Sequence, residues 1–258
     1  MKINRIFSYY KKYGDLQVSE TLEEHVEECL NIIKNIENSK IGKYILRITP
    51  LLKDLTKTLK LIIIFHDTGK VFYQNNFNKS VEGYTYLSFK GHEFFSTYIF
   101  HKFYMQNETL KSVWEDGIIQ IIKFTILFHH HALNTEYRRR LEARNLLNLN
   151  DLLNSLSSNL EKFFEDKSDR ESFRYALTNL QEEVAEPNFI GNLNQWMVEA
   201  LREVWRDVWI NSELRKLGLI LLNVLLTADN IAAEIRRGRS PSNFRQAVQQ
   251  FYYYYIDE

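Results

Sequence analysis

The chain has 258 residues, enough for one sizeable core, and 33 basic side chains balance 33 acidic ones. With 9 glycines and 3 prolines the chain is expected to be mostly helical, Cys29 as the single cysteine excludes a disulfide framework and a thiolate metal cluster, and zero net charge excludes a globally basic surface for nucleic acid. The apolar run at 217–226 is about half a membrane span and residues 1–12 lack a signal-type apolar run, so a soluble cytoplasmic protein with no membrane partner is expected.

Along 21–36, Leu22, Val26, Cys29, Leu30 and Ile33 recur at helical spacing, with Ser19 or Thr21 available as a cap. A second helix is expected from position 50 or 51 through Leu61-Ile62-Ile63-Ile64-Phe65, closed by Thr68-Gly69 just after His66-Asp67. The polar, glycine-containing stretch 75–90 reads as loop. Helices follow at 91–105, 112–131 and 215–236. Between the last two, 141–206 carries weaker amphipathic segments at 152–164 and 196–209 and reads as a helical insertion. With no convincing strand pattern, the expectation is an all-α fold, one domain over 1–258 with the insertion inside it.

Polar residues of one chemical kind fall on the buried stripes of these helices. His25 lies between Leu22 and Cys29, His92 aligns with Phe95, Ile99 and Phe103, and Asp229 shares the stripe of Leu222, Leu225, Leu226, Ala232 and Ala233. A buried unpaired carboxylate is costly, so Asp229 requires a compensating partner. Taken singly, an inward histidine is more often a hydrogen-bonded core residue than a ligand; several in one domain shift that balance. The ordered series His25, His66-Asp67, His92, a pair within His129-His130-His131, and Asp229 suits divalent ions such as Mn, Fe, Co, Ni or Zn, which a carboxylate can bridge. His101, nine residues after His92, falls about 180° away on the same helix and is left out. On a regular helix neighbouring side chains splay by about 100°, so not all of His129-His130-His131 can face one centre. His130 and His131 are chosen, and His129 is set aside.

The series resembles the HD superfamily of metal-dependent phosphohydrolases, and His92 with His130-His131 resembles its two-metal branch. His66-Asp67-Thr68-Gly69-Lys70, Phe72-Tyr73-Gln74, Gly91-His92-Glu93 with Ser96, and Ala228-Asp229-Asn230 are similar to the HD nuclease of type I CRISPR interference, which occurs fused to a helicase or free-standing. The resemblance covers His25 to about Ala233, without 141–206. It implies an HD-domain helical bundle around a binuclear metal site holding two divalent ions (Mn, Ni, Co, Fe or Mg). One ion would be held by His25, His66, Asp67 and Asp229, the other by Asp67, His92, His130 and His131, with Asp67 as bridge. Two such ions lower the pKa of a shared water for attack on a phosphodiester, and Lys70, four residues after His66, is a candidate contact to the phosphate; the bland alternative is a solvated lysine at a helix end.

Basic residues concentrate beside two of these motifs: Arg138-Arg139-Arg140 after the histidines and Arg236-Arg237 after Asp229. Converging at the metal mouth they would form a positive rim for a phosphate backbone; separately they read as solvated charges. The Tyr252-Tyr253-Tyr254-Tyr255 run suits base stacking, or packing on a neighbouring helix. Taken together, the expected activity is hydrolysis of single-stranded DNA, with RNA as an alternative, in CRISPR antiviral defence. The expected partners are a CRISPR-associated helicase and the guide-RNA surveillance complex. The competing enzyme class is an HD phosphohydrolase of a nucleotide or cyclic dinucleotide. Leu133-Asn134-Thr135-Glu136-Tyr137 lacks the Gly-Tyr-Pro signature of the cyclic-dinucleotide branch. A third class, a docking module with a purely structural metal, is disfavoured by the complete ligand set.

Overall fold

The computed structural model describes residues 5–49, 52, 54–130, 148–238 and 242–257. The chain is mainly helical, as expected, but it opens with strands. β1 (Phe7–Tyr13) and β2 (Leu16–Thr21) form an antiparallel hairpin, and β3 (Phe77–Lys79) and β4 (Thr85–Leu87) extend it to a sheet of order β2-β1-β4-β3. The loop expected over 75–90 therefore holds two short strands. The overlooked signal was Gly14-Asp15: two residues separate β1 from β2, and Gly14 sits at φ +55 in the left-handed region such turns require.

α1 (Leu22–Ile32) starts in a capping box, in which the Thr21 hydroxyl accepts from the Glu24 N–H and the Glu24 carboxylate accepts from the Thr21 N–H. α2 (Lys40–Ile48) is capped by Ser39. α3 (Leu55–His66) begins later than expected, where Asp54 accepts from the Lys57 N–H at 2.7 Å. Its run Leu61 to Phe65 is buried all round, which explains an apolar stretch without amphipathic period. A 3-10 turn over Thr68–Tyr73 follows. Next come α4 (His92–Gln106), α5 (Glu108–Val113) and α6 (Asp116–Phe128), so the helix expected over 112–131 begins four residues later and ends at Phe128.

The segment expected as an insertion contributes α7 (Leu149–Leu160), α8 (Lys167–Val184) and α9 (Phe189–Val204). Of these, α8 carries no signal singled out in the sequence. All three share one hydrophobic core with the remaining helices. Phe65 of α3 sits at its middle, its ring 4.9–5.9 Å from those of Phe100, Phe103, Phe164 and Phe173. α10 (Ser212–Arg237), 26 residues, is long and apolar enough to cross a membrane by length and composition. Here it lines the bundle instead, packing along α1 and α6 and burying Leu221, Leu225 and Ala228. α11 (Asn243–Phe251) ends the chain on the Tyr252–Ile256 turn, with Tyr253, Tyr254 and Tyr255 largely exposed.

Candidate metal centre

α1, α3, α4, α6 and α10 bring their polar residues to one buried place. His66 closes α3 and Asp67 is its C-cap; His92 opens α4; His129 caps the C-terminus of α6; His25 and Asp229 sit within α1 and α10. Gly69 makes the approach possible. A β-carbon there would lie 2.1 Å from the His92 carbonyl oxygen and 2.6 Å from the Ser96 nitrogen, and its N–H donates to Ser96 Oγ at 2.8 Å. The turn after Asp67 can thus lie directly on the first turn of α4. That turn is entered through Gly91, at φ +90.

Three histidines share one local device. His66 Nδ1 donates to the Ile63 carbonyl at 2.7 Å, His92 Nδ1 to Phe89 at 2.6 Å and His129 Nδ1 to Ile126 at 2.6 Å. A carbonyl can only accept, so each Nδ1 carries a proton and each ring turns its Nε2 inward. Those atoms converge on Asp67: His92 Nε2 is 2.8 Å from Oδ1, His129 Nε2 3.7 Å from Oδ1 and His66 Nε2 3.5 Å from Oδ2. On the other side His25 Nε2 is 3.0 Å from Asp229 Oδ1 and 3.6 Å from Asp67 Oδ2. His130 joins through its ring, 4.8 Å from that of His92.

The centre thus gathers histidine nitrogens around two buried carboxylates. The Nε2 atoms of His66 and His129 are buried and have no hydrogen-bond partner among the described residues. Divalent cations would satisfy both these nitrogens and the carboxylates they face. Donor atoms of Asp67, His92, His129 and His130 lie within 4.8 Å of one another, and so do those of His25, His66 and Asp67; both groups include Asp67. This donor set fits divalent metal, with Asp67 placed to bridge.

Protonation is arranged accordingly. Burial pushes His66 down to about 4, and burial with the neighbouring His129 and His92 holds His130 well below its usual range. Burial works to raise Asp67, yet Lys70 and the histidines hold it well below the carboxylate range; His25 does the same for Asp229. His25 itself is held well above its usual value, against burial, by Cys29 and by its bonds to Asp229 and Glu20. Without metal, His25 and Lys70 supply the positive charge opposite the two carboxylates.

Several expectations need correcting. His129, set aside on the helical-splay argument, is 1% exposed and lies in the cluster. The splay argument assumed a helix to 131, whereas α6 stops at Phe128, so the rings of His129 and His130 stand 4.0 Å apart and share one centre. His131 and Arg138, Arg139 and Arg140 lie outside the described residues. Lys70 is no solvated lysine: it is 5% exposed, its Nζ is 2.5 Å from Asp67 Oδ2 and it faces the Phe89 ring. Arg237 is not offered to a ligand, because its guanidinium is bound to Glu20 and lies over the Tyr9 ring; Arg236 is half-exposed, 3.9 Å from Glu24. His101 packs on Trp196 between α4 and α9. Glu20, which bonds His25 Nδ1 at 3.2 Å, was not anticipated.

The helical bundle thus gathers a histidine, a His-Asp pair and a distant aspartate into one buried cluster. No family model matches the sequence, and no curated protein matches it. A solved structure of the CRISPR-associated Cas3 HD domain protein from Methanocaldococcus jannaschii aligns with 80% of this chain and 95% of its own, at 18% identity and a TM-score of 0.40. A likeness that distant carries no argument, and the functional assignment rests on the side chains themselves.

Proposed function

We propose that this protein is a metal-dependent phosphodiester hydrolase, a nuclease acting on single-stranded DNA, with RNA as the alternative polymer, in CRISPR antiviral defence. The observation that carries the hydrolase is the buried cluster around Asp67, in which the Nε2 atoms of His66 and His129 find no hydrogen-bond partner among the described residues. His25, His66, Asp67 and Asp229 would hold one ion; Asp67, His92, His129 and His130 would hold the second, with His131 as the remaining candidate. When bound, two ions supply Lewis acidity that makes a water nucleophilic at neutral pH and neutralises charge on the phosphate.

The chain's own residues do the rest. The Nδ1–H bonds of His66, His92 and His129 fix the rings, Asp67 sets the spacing between the two groups, and Lys70 presents an ammonium at the same carboxylate, within reach of a phosphate oxygen. Residues 141–206 we take as an insertion, and within it α8 packs along α4. The polymer substrate, the cytoplasmic setting, the CRISPR-associated helicase and the surveillance complex rest on the motif resemblance around His66-Asp67-Thr68-Gly69-Lys70. One panel tests the assignment: labelled single-stranded DNA, duplex DNA, RNA, mononucleotides and cyclic dinucleotides, each with Mg, Mn, Co and Ni. Metal-dependent cleavage of single-stranded polymer is expected; turnover of nucleotides with polymers left intact would replace the nuclease by a small-molecule phosphohydrolase.

A further inference from the structure

We propose that Glu20, at the end of the N-terminal hairpin, is a positioning residue of the metal centre: it orients the ring of His25, and Arg237 and Ser8 hold its carboxylate in place. This rests on the metal-hydrolase assignment and deepens it.

His25 has a problem the other histidines do not. His66 and His129 close their helices and His92 opens one, so each donates Nδ1–H to a carbonyl three residues earlier. His25 stands inside α1, where the carbonyl three residues earlier, that of Leu22, is used by the helix's own ladder. An acceptor must come from another element. Glu20 Oε1 supplies it at 3.2 Å from Nδ1, which aims Nε2 at Asp229 and Asp67. A ligand histidine whose second nitrogen is fixed by a carboxylate is more basic and better oriented than a free one.

Burying that carboxylate demands its own partners. Glu20 is fully buried, and its Oε2 accepts from Ser8 Oγ at 3.0 Å, from Arg237 Nε at 2.8 Å and from a terminal Arg237 nitrogen at 2.5 Å. Arg237 in turn lies over the Tyr9 ring, 4.6 Å away, so both strands of the hairpin grip it. The hairpin is also tied to the turn after Asp67, because the Gln74 side chain accepts from Phe7 N–H at 2.7 Å and donates to the Phe7 and Lys70 carbonyls. α10 thus contributes Asp229 to the centre and Arg237 to the carboxylate behind His25.

The test is Co2+ affinity by chelator competition, together with 15N-histidine spectra of the Zn2+-loaded protein. Glu20→Ala is expected to weaken Co2+ binding by about 10- to 100-fold. It should also lose the slowly exchanging His25 Nδ1–H signal that the wild type shows. Glu20→Gln retains an oxygen that can accept from Nδ1, so its loss should be smaller and the signal should persist. A folded Glu20→Ala that binds Co2+ as the wild type does and keeps the signal overturns the role; should that variant not fold, a Glu20→Gln protein with unchanged affinity overturns it. Wild-type protein that takes up no Co2+, or a His66→Ala variant that binds as tightly as wild type, overturns the metal assignment instead.

Discussion

Two regions of this molecule bury histidine, and they do so differently. Around Asp67 every Nδ1 with a described partner has a fixed acceptor, and the Nε2 atoms of four helices converge on carboxylates. At the α4–α9 interface His101 lies against Trp196 with Nδ1 unpartnered among the described residues, its near charges being Lys102 and the buried Lys123, whose Nζ is 3.9 Å from Glu203. Both sites depress a histidine to about 4 by burial first, so depression alone does not mark a ligand. Oriented rings and shared carboxylates do. The surroundings differ as well: His101 has Lys102 and Lys123 near it, whereas His66 Nε2 faces the Asp67 carboxylate.

Substitutions can break that contrast, and Asp67→Asn should break it most. Losing the carboxylate common to both donor groups should cut cleavage by at least about 100-fold while far-UV circular dichroism stays that of the wild type, and single-turnover assays would read this. Cleavage at the wild-type rate by Asp67→Asn would remove Asp67 from the chemistry. Next in size is Gly69→Ala. Its methyl group meets backbone atoms of His92 and Ser96, so a loss of about 2–4 kcal/mol in denaturant unfolding is expected. His129→Ala should weaken Co2+ binding by at least about tenfold, taking the effect of a supporting residue as the floor, whereas His101→Gln should leave it unchanged. Equal effects of the two would erase the distinction between the regions.

The His101 site offers a smaller, pH-dependent effect. Its folded value near 4 lies below the usual 6.5, so between those limits the unfolded chain binds more protons, and stability falls as the pH drops through that window. The contribution lost is at most about 3 kcal/mol, and His101→Gln should flatten the slope of metal-free stability between pH 6.5 and 4 without changing it above 7. Urea titrations at several pH values measure this; an unchanged slope would mean that His101 is solvated enough to protonate freely.

Much of the centre was legible in the sequence because each residue left a local trace. His25, His92 and Asp229 stood on apolar stripes, and His66-Asp67 ended an apolar run at Thr68-Gly69. The helix end after Phe128 was not legible: Ile126 to Phe128 is apolar and continues without glycine or proline into His129, so the triple was treated as regular helix. The hairpin was missed although Gly14-Asp15 announced it, because its strands are short of buried positions and alternate weakly. Glu20 had no local trace at all. Its meaning lies in Arg237, 217 residues away, and only the fold brings the two together.

The central claim, that a buried cluster of acceptors around Asp67 holds divalent metal, is tested most directly by equilibrium dialysis of chelator-stripped protein against Co2+ at neutral pH, with metal and protein counted. Two donor groups sharing Asp67 predict two ions per chain for the wild type, and loss of both in Asp67→Asn. Wild-type protein that retains no cobalt, or an Asp67→Asn variant that retains as much as the wild type, would contradict it.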